Sequence, residues 1–264
     1  SSLLMPSVSL AAEWVKVGGN KYNTAASDEA GTWAWDGADD MKLNGYNGGA
    51  IEAEGKLNVN YSGNNTVAND SGCGISVTKD TDGNDTDGNA ELNIQGDASS
   101  TLNVTSSSDA IWSEGDINID GAGTVNATSA EGDAIDAKGG LAIKGSGNVN
   151  ATGESNGIRA HDDITIDNSG TIAAKATRNP GINAHNSLTV KGDGKVEASS
   201  IEAMRFGPTA ISRFRAAARS RRTLRKTAPS FPRTSLRSRT PPLTQVVLNM
   251  ASMPLGALHS ITRP

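Results

Sequence analysis

Four apolar residues, Ile111, Ile117, Ile119 and Val125, stand at offsets 0, 6, 8 and 14. The same offsets return at Ile135, Leu141, Ile143 and Val149, then at Ile158, Ile164, Ile166 and Ile172, and at Ile182, Leu188, Val190 and Val196. The unit is 24, 23 and 24 residues long. A period of this size marks stacked supersecondary units. Small residues follow two positions after the first and last apolar one: Ser113 and Ala127, Ala137 and Ala151, Ala160 and Ala174, Ala184 and Ala198. Residues two apart share one face of a strand. Each unit therefore predicts three short strands with inward pairs such as 111/113, 117/119 and 125/127. Turns rich in Gly and Asp, such as Glu114-Gly115-Asp116, separate them.

One rung of three strands cannot bury its inner face. Rungs stacked about 4.8 Å apart can, which predicts an all-β chain folded as a parallel β-helix. The Leu and Asn spacing of leucine-rich repeats is absent, and Gly and Asn are too frequent for a helical solenoid. Two earlier rungs are visible. One starts at Ile51, with Ala53, Leu57 and Val59, and reads as having a longer last turn to Val67. The other starts at Ile75, with Val77, Leu92, Ile94, Leu102 and Val104, and carries an insertion within Thr78 to Asn89. The solenoid is thus expected over 48–203.

Residues 13–47 read as an N-terminal β cap with two strand-like runs, Trp14 to Val17 and Thr32 to Trp35. Trp33 and Trp35 share a face, and packing on the first rung, covering its open edge, is their favoured role. A sugar-stacking platform is the alternative. Residues 1–12, SSLLMPSVSLAA, resemble the end of a secretory signal, with small residues Ser9, Ala11 and Ala12 at a plausible cleavage point. The chain starts without Met, so an upstream part is expected. No apolar run is long enough to span a membrane. The single Cys73 rules out an intrachain disulfide and reads as a buried or turn residue.

The last quarter changes character. Residues 1–200 hold 28 acidic and 12 basic residues, while 201–264 hold one acid and 12 bases. A basic tail for nucleic acid or anionic lipid is one reading. The other is a shifted reading frame. Read one base upstream, the codons running into Phe206 and Phe214 end in TT and encode apolar residues, and those running into Ser212 and Ser220 do so if these serines use TCN codons; the four positions stand at offsets 0, 6, 8 and 14. With matching wobble bases the hidden peptide reads GDAIRADGDITVSGGGTLTA, another rung. Residues from about 204 are therefore expected to have no evolved structure, and the Arg run at 213–226 is not expected to bind nucleic acid.

Several clusters could carry chemistry. The insertion holds Asp80, Asp82, Asn84, Asp85, Asp87 and Asn89, and alternating carboxylates on such a loop suit calcium. An EF-hand is excluded by Asp85 where Gly is needed and by the lack of flanking helices; a solvated polar loop is the alternative. Asp109, Asp133 and Asn156 share one corner of successive rungs, where either calcium relieves the repulsion or each side chain bonds turn amides. Outward Asn103, Asn126 and Asn150 form a ladder of stacked amides, a structural feature. The first strand of each rung carries the most varied outward face: Glu52, Ser76, Trp112, Asp136, Arg159 and Asn183. An exposed Trp suits the apolar face of a sugar ring, and the polar neighbours suit its hydroxyls. Arg159 beside Asp136 also reads as an exposed ion pair of small value. His161 and His185, at equivalent positions, read as turn residues.

The segment TWAWDGADDMKLNGYNGGAI, the GKLNVNYSGNNTV rung and the repeated GDAIDAKGGLAIKGSGNVNATG unit resemble secreted bacterial carbohydrate-binding domain-containing proteins. These are right-handed parallel β-helices related in shape to pectate lyases. The resemblance covers about residues 13–200 and implies secretion or cell-surface display, polysaccharide binding and bound calcium. It fixes no ligand residue. The expected carbohydrate site is Trp112, Asp136, Arg159, Asn183 and Glu52. The expected metal site is Asp80, Asp82, Asp85, Asp87, Asp109 and Asp133. The chain is expected to act as a monomer, to bind polysaccharide without cleaving it, and to bind no nucleic acid. A structural stalk or adhesin is the alternative, and a lyase using calcium and a base such as Arg159 is the third.

Overall fold

The structure, a computed structural model, describes residues 11–79 and 90–201 and the backbone of Val246–Val247. These residues form strands and turns without a helix. Three sheets run the length of a β-solenoid of about six turns, and within the rungs every neighbouring strand is parallel.

Like stacks on like. In the first sheet Ile51, Ile75, Ile111, Ile135, Ile158 and Ile182 lie in one register row. In the second sheet Leu57, Leu92, Ile117, Leu141, Ile164 and Leu188 do so. In the third, Leu102, Val125, Val149, Ile172 and Val196 do so. These are the equivalences that the offsets predict. A slip of one residue would turn every inward side chain outward, so burial fixes the register. The rows are buried almost throughout; only Leu188 in the last rung is partly open.

The first rung departs from the expected pattern. It has no longer last turn: Asn65 pairs with Leu102, and Val67 pairs with Val104. Asn65 therefore takes the inward apolar position, fully buried. A buried amide is tolerated only when bonded. Its Oδ1 accepts from Tyr46 N at 2.9 Å, and its Nδ2 donates to Ser62 O at 2.9 Å. It ties the cap to the first rung where an aliphatic side chain could not. Tyr61, also inward, reaches over the next rungs. A Cβ at Gly96 would lie 2.1 Å from its ring, which is why only Gly fits there.

Trp14–Val17 runs antiparallel to Ile51–Glu54 and closes the first sheet, burying Val15 and Val17. Asp40–Asn44, a strand outside the two expected runs, lies parallel on Lys56–Ser62 and buries Met41 and Leu43. Trp33–Trp35 pairs antiparallel with it, and both rings are buried against the solenoid end. Trp35 Nε1 donates to Ala38 O at 2.9 Å, and Trp33 lies 5.2 Å from the Tyr22 ring. The rings thus cover a sheet end. At the opposite end Val246–Val247 pairs with Val196 and Glu197. The remainder of the tail from 204, to which the frameshift reading applies, lies outside the described residues, as do Asp80, Asp82, Asp85 and Asp87.

Candidate functional site

The outward row of the first sheet is set by register. Lys16, Glu52, Ser76, Trp112, Asp136, Arg159 and Asn183 lie on successive strands. Trp112, Asp136, Arg159 and Asn183 are therefore immediate neighbours. Glu52 stands apart, beyond Ser76, and its carboxylate takes Lys16 Nζ of the cap at 3.2 Å.

Asp136 is not the exposed residue that strand alternation predicts: it is 1 % exposed. Alternation gives the direction of a side chain, not its depth. Lys138 follows two residues later and folds over Asp136, with Nζ 2.6 Å from Oδ2. His161 Nε2 lies 3.2 Å from the same Nζ and 3.8 Å from Asp136 Oδ1. Asp136 Oδ1 is buried and accepts no hydrogen bond from the described residues. Nor does Arg159 pair with Asp136. Its Nη1 reaches Asp133 Oδ2 at 3.5 Å, since Lys138 already holds Asp136.

The 109/133/156 corner follows the amide-bonding alternative. Asp133 N donates to Asp109 Oδ1 at 2.7 Å. Asn156 N and Nδ2 donate to Asp133 Oδ1 at 2.6 and 2.7 Å. Asn183 Nδ2 continues the chain to Asn156 Oδ1 at 3.3 Å. Calcium needs free oxygen lone pairs. Here N–H groups take Oδ1 of both carboxylates and a guanidinium lies 3.5 Å from Asp133 Oδ2, so the contacts of this corner favour amide bonding. Among the described residues no group of three or more His, Cys, Asp and Glu is placed to hold a metal. Burial pushes the Asp109 carboxyl above its ordinary value, and the nearby Asp133 and Asp136 charges add to this against the Asp133 N–H bond. Burial, with Asp109 nearby, likewise raises the Cys73 thiol, which argues against a nucleophile.

Burial, reinforced by Arg159 and Lys138, holds His161 below the ordinary imidazole value. A neutral ring accepts from Lys138 at Nε2. The unfolded chain then binds the proton more readily than the folded one. The contribution of His161 to stability is thus fully present above about pH 6.5 and is lost as pH falls through the lower folded value. Melting temperature between pH 7 and 5 is expected to fall more steeply for the parent than for His161→Gln. Equal slopes would show that the ring is too solvated to matter.

The Asn103, Asn126 and Asn150 ladder forms as expected, with Nδ2 to Oδ1 distances of 2.8 and 2.9 Å. His161 and His185 occupy turns, as expected, but His161 also joins the Asp136 cluster. The sequence signal for that cluster was the shared offset of Lys138, His161 and His185, three residues after each first-strand Ile. Among the described residues no helix is long and apolar enough to cross a membrane.

Residues 50–203, more than half of the chain, match the model of a carbohydrate-binding domain-containing protein family. The match spans the solenoid turns from Ile51 onward. No curated protein and no solved structure matches the chain.

Proposed function

Because the chain belongs to the carbohydrate-binding domain-containing protein family, we propose that its first-sheet face holds a polysaccharide without cleaving it. One observation carries the choice of face: buried Asp136 Oδ1 has no donor and lies on the strand beside Trp112. A carboxylate oxygen out of water without a donor is costly, and once Lys138, about a third exposed, swings aside from Asp136, a sugar hydroxyl supplies one. Trp112 stacks on a sugar ring. Arg159 and Asn183, on the next two strands, bond hydroxyls or carboxylates. Glu52 serves the cap instead, through Lys16. The protein acts as a monomer, secreted or displayed on the cell surface, where many copies raise a modest affinity per site. The calcium implied by the resemblance is assigned to Asp80, Asp82, Asp85 and Asp87 alone.

Pull-down on insoluble plant or mucosal polysaccharides tests this. The parent is expected to be retained, and Trp112→Ala and Arg159→Ala each to weaken binding about tenfold, about 1.4 kcal/mol. Unchanged retention of both variants would remove the site from this face. No retention of the parent would favour a structural stalk.

A further inference from the structure

We infer that the outward face of the second sheet is a separate track for an uncharged, hydroxyl-rich glycan. This rests on the family's sugar-binding role but not on the Trp112 face. The face carries a shallow groove of about 490 Å³ along four solenoid rungs and the cap strand Asp40–Asn44.

The groove is made by two outward rows. In one, Asn118 Nδ2 donates to Asn93 Oδ1 at 2.9 Å, Asn93 Nδ2 to Asn58 Oδ1 at 2.9 Å, and Asn58 Nδ2 to Asp40 Oδ1 at 2.8 Å. The other row, in register beside it, holds Asn60, Gln95 and Asp120. Asn60 and Gln95 make no side-chain hydrogen bond to the described residues, so their amide donors and acceptors face the groove's solvent. The first row is already ordered by its own bonds, so a ligand meets amides whose rotamer freedom is spent. Each Oδ1 keeps a second lone pair, and the amides of Asn58 and Asn118 keep a second N–H.

Such a surface offers donors and acceptors in alternation, which is what a sugar hydroxyl, itself donor and acceptor, can use. Spacing agrees. The amides repeat with the rungs, about 4.8 Å, close to the advance of one pyranose ring along an extended chain. Charge decides the ligand class. Among the described residues the charged ones lining the groove are Asp40, Asp120 and Lys144. They give no positive excess for a uronate, sulfate or phosphate chain, whereas the first-sheet face has Lys138 and Arg159 exposed by about a third. A chain on each face would let one molecule bridge two glycans.

Affinity gel electrophoresis tests this with hydroxyethylcellulose, galactomannan and arabinoxylan as neutral probes and polygalacturonate as the acidic one. At least one neutral probe is expected to retard the parent. A double variant Asn60→Ala/Gln95→Ala should weaken that retardation at least tenfold while keeping its melting temperature. Asn126→Ala, in the amide ladder of the third sheet, and Trp112→Ala should both leave it unchanged. No retardation by any neutral probe, or retardation indifferent to the double variant, would overturn the second-sheet track. Binding lost only with Trp112→Ala would do the same and leave the first-sheet reading standing. Neutral-probe binding lost only with the double variant, with polygalacturonate binding lost only with Trp112→Ala, would sustain both sites; polygalacturonate binding indifferent to Trp112→Ala would overturn the first-sheet site alone.

Discussion

Truncating Ile135 to alanine is expected to lower the unfolding free energy by about 2–5 kcal/mol, the range for emptying a packed aliphatic site. Ile135 is fully buried and sits in register between Ile111 and Ile158. Rungs of a solenoid contact only their neighbours, so stability is a sum of rung and interface terms. A cavity at Ile135 weakens two interfaces at once. Ile182, in the same row, is the last of the first sheet among the described residues and has a described strand on one side only. Ile182→Ala should therefore cost clearly less. Urea unfolding measures both, and the loss should appear as a lower midpoint at constant slope. Equal losses at the two positions, or a loss under about 1 kcal/mol at Ile135, would mean the rows are not packed as described.

The rows themselves were legible because rung length and inward alternation are direct consequences of stacking. Each rung repeats the same burial problem, so Ile111, Ile135, Ile158 and Ile182 had to coincide. What was not legible depends on side chains crossing between rungs. Asn65 breaks the apolar pattern because the cap offers it Tyr46 N, a partner that no periodicity announces. Asp136 points outward as read, yet Lys138 covers it from the following turn. Arg159 pairs with Asp133, in the turn that precedes the neighbouring strand, because Lys138 already holds Asp136. The outward faces beyond the first strand of each rung are less varied, so the second-sheet row carries no signal in the sequence. Its groove emerges only from how Asn58, Asn93 and Asn118 lock together and leave Asn60 and Gln95 beside them. The strand Asp40–Asn44 was missed for a simpler reason: Met41 and Leu43 are a single inward pair without a repeat to support it.

Asp133→Ala should cost nearly as much as the Ile135 cavity, by a different route. Asp133 is buried, and its Oδ1 is the acceptor for both Asn156 N and Asn156 Nδ2. Alanine leaves Asn156 N without a partner and Asn156 Nδ2 with only the longer bond to Ser155 Oγ at 3.3 Å, at about 1–3 kcal/mol for each bond lost inside the corner. The loss of Arg159 adds little, because that side chain is over a third exposed and can turn to water. Asp133→Asn keeps an acceptor oxygen for Asn156 and should cost only about 1 kcal/mol. The pair also separates the two roles weighed for this corner. An ion held between Asp109 and Asp133 would make stability rise with calcium, and Asp133→Asn would abolish the rise. The geometry predicts otherwise: calcium should shift the melting of the parent and of Asp133→Asn equally, whatever the acidic segment Asp80 to Asp87 contributes. Magnesium, which holds its water more tightly, should do little in either. A calcium response lost in Asp133→Asn alone would return the ion to the corner and make the amide bonds its substitute. An equal response assigns Asp133 the role its contacts describe, that of fastening one turn of the solenoid to the next beneath the Trp112 face.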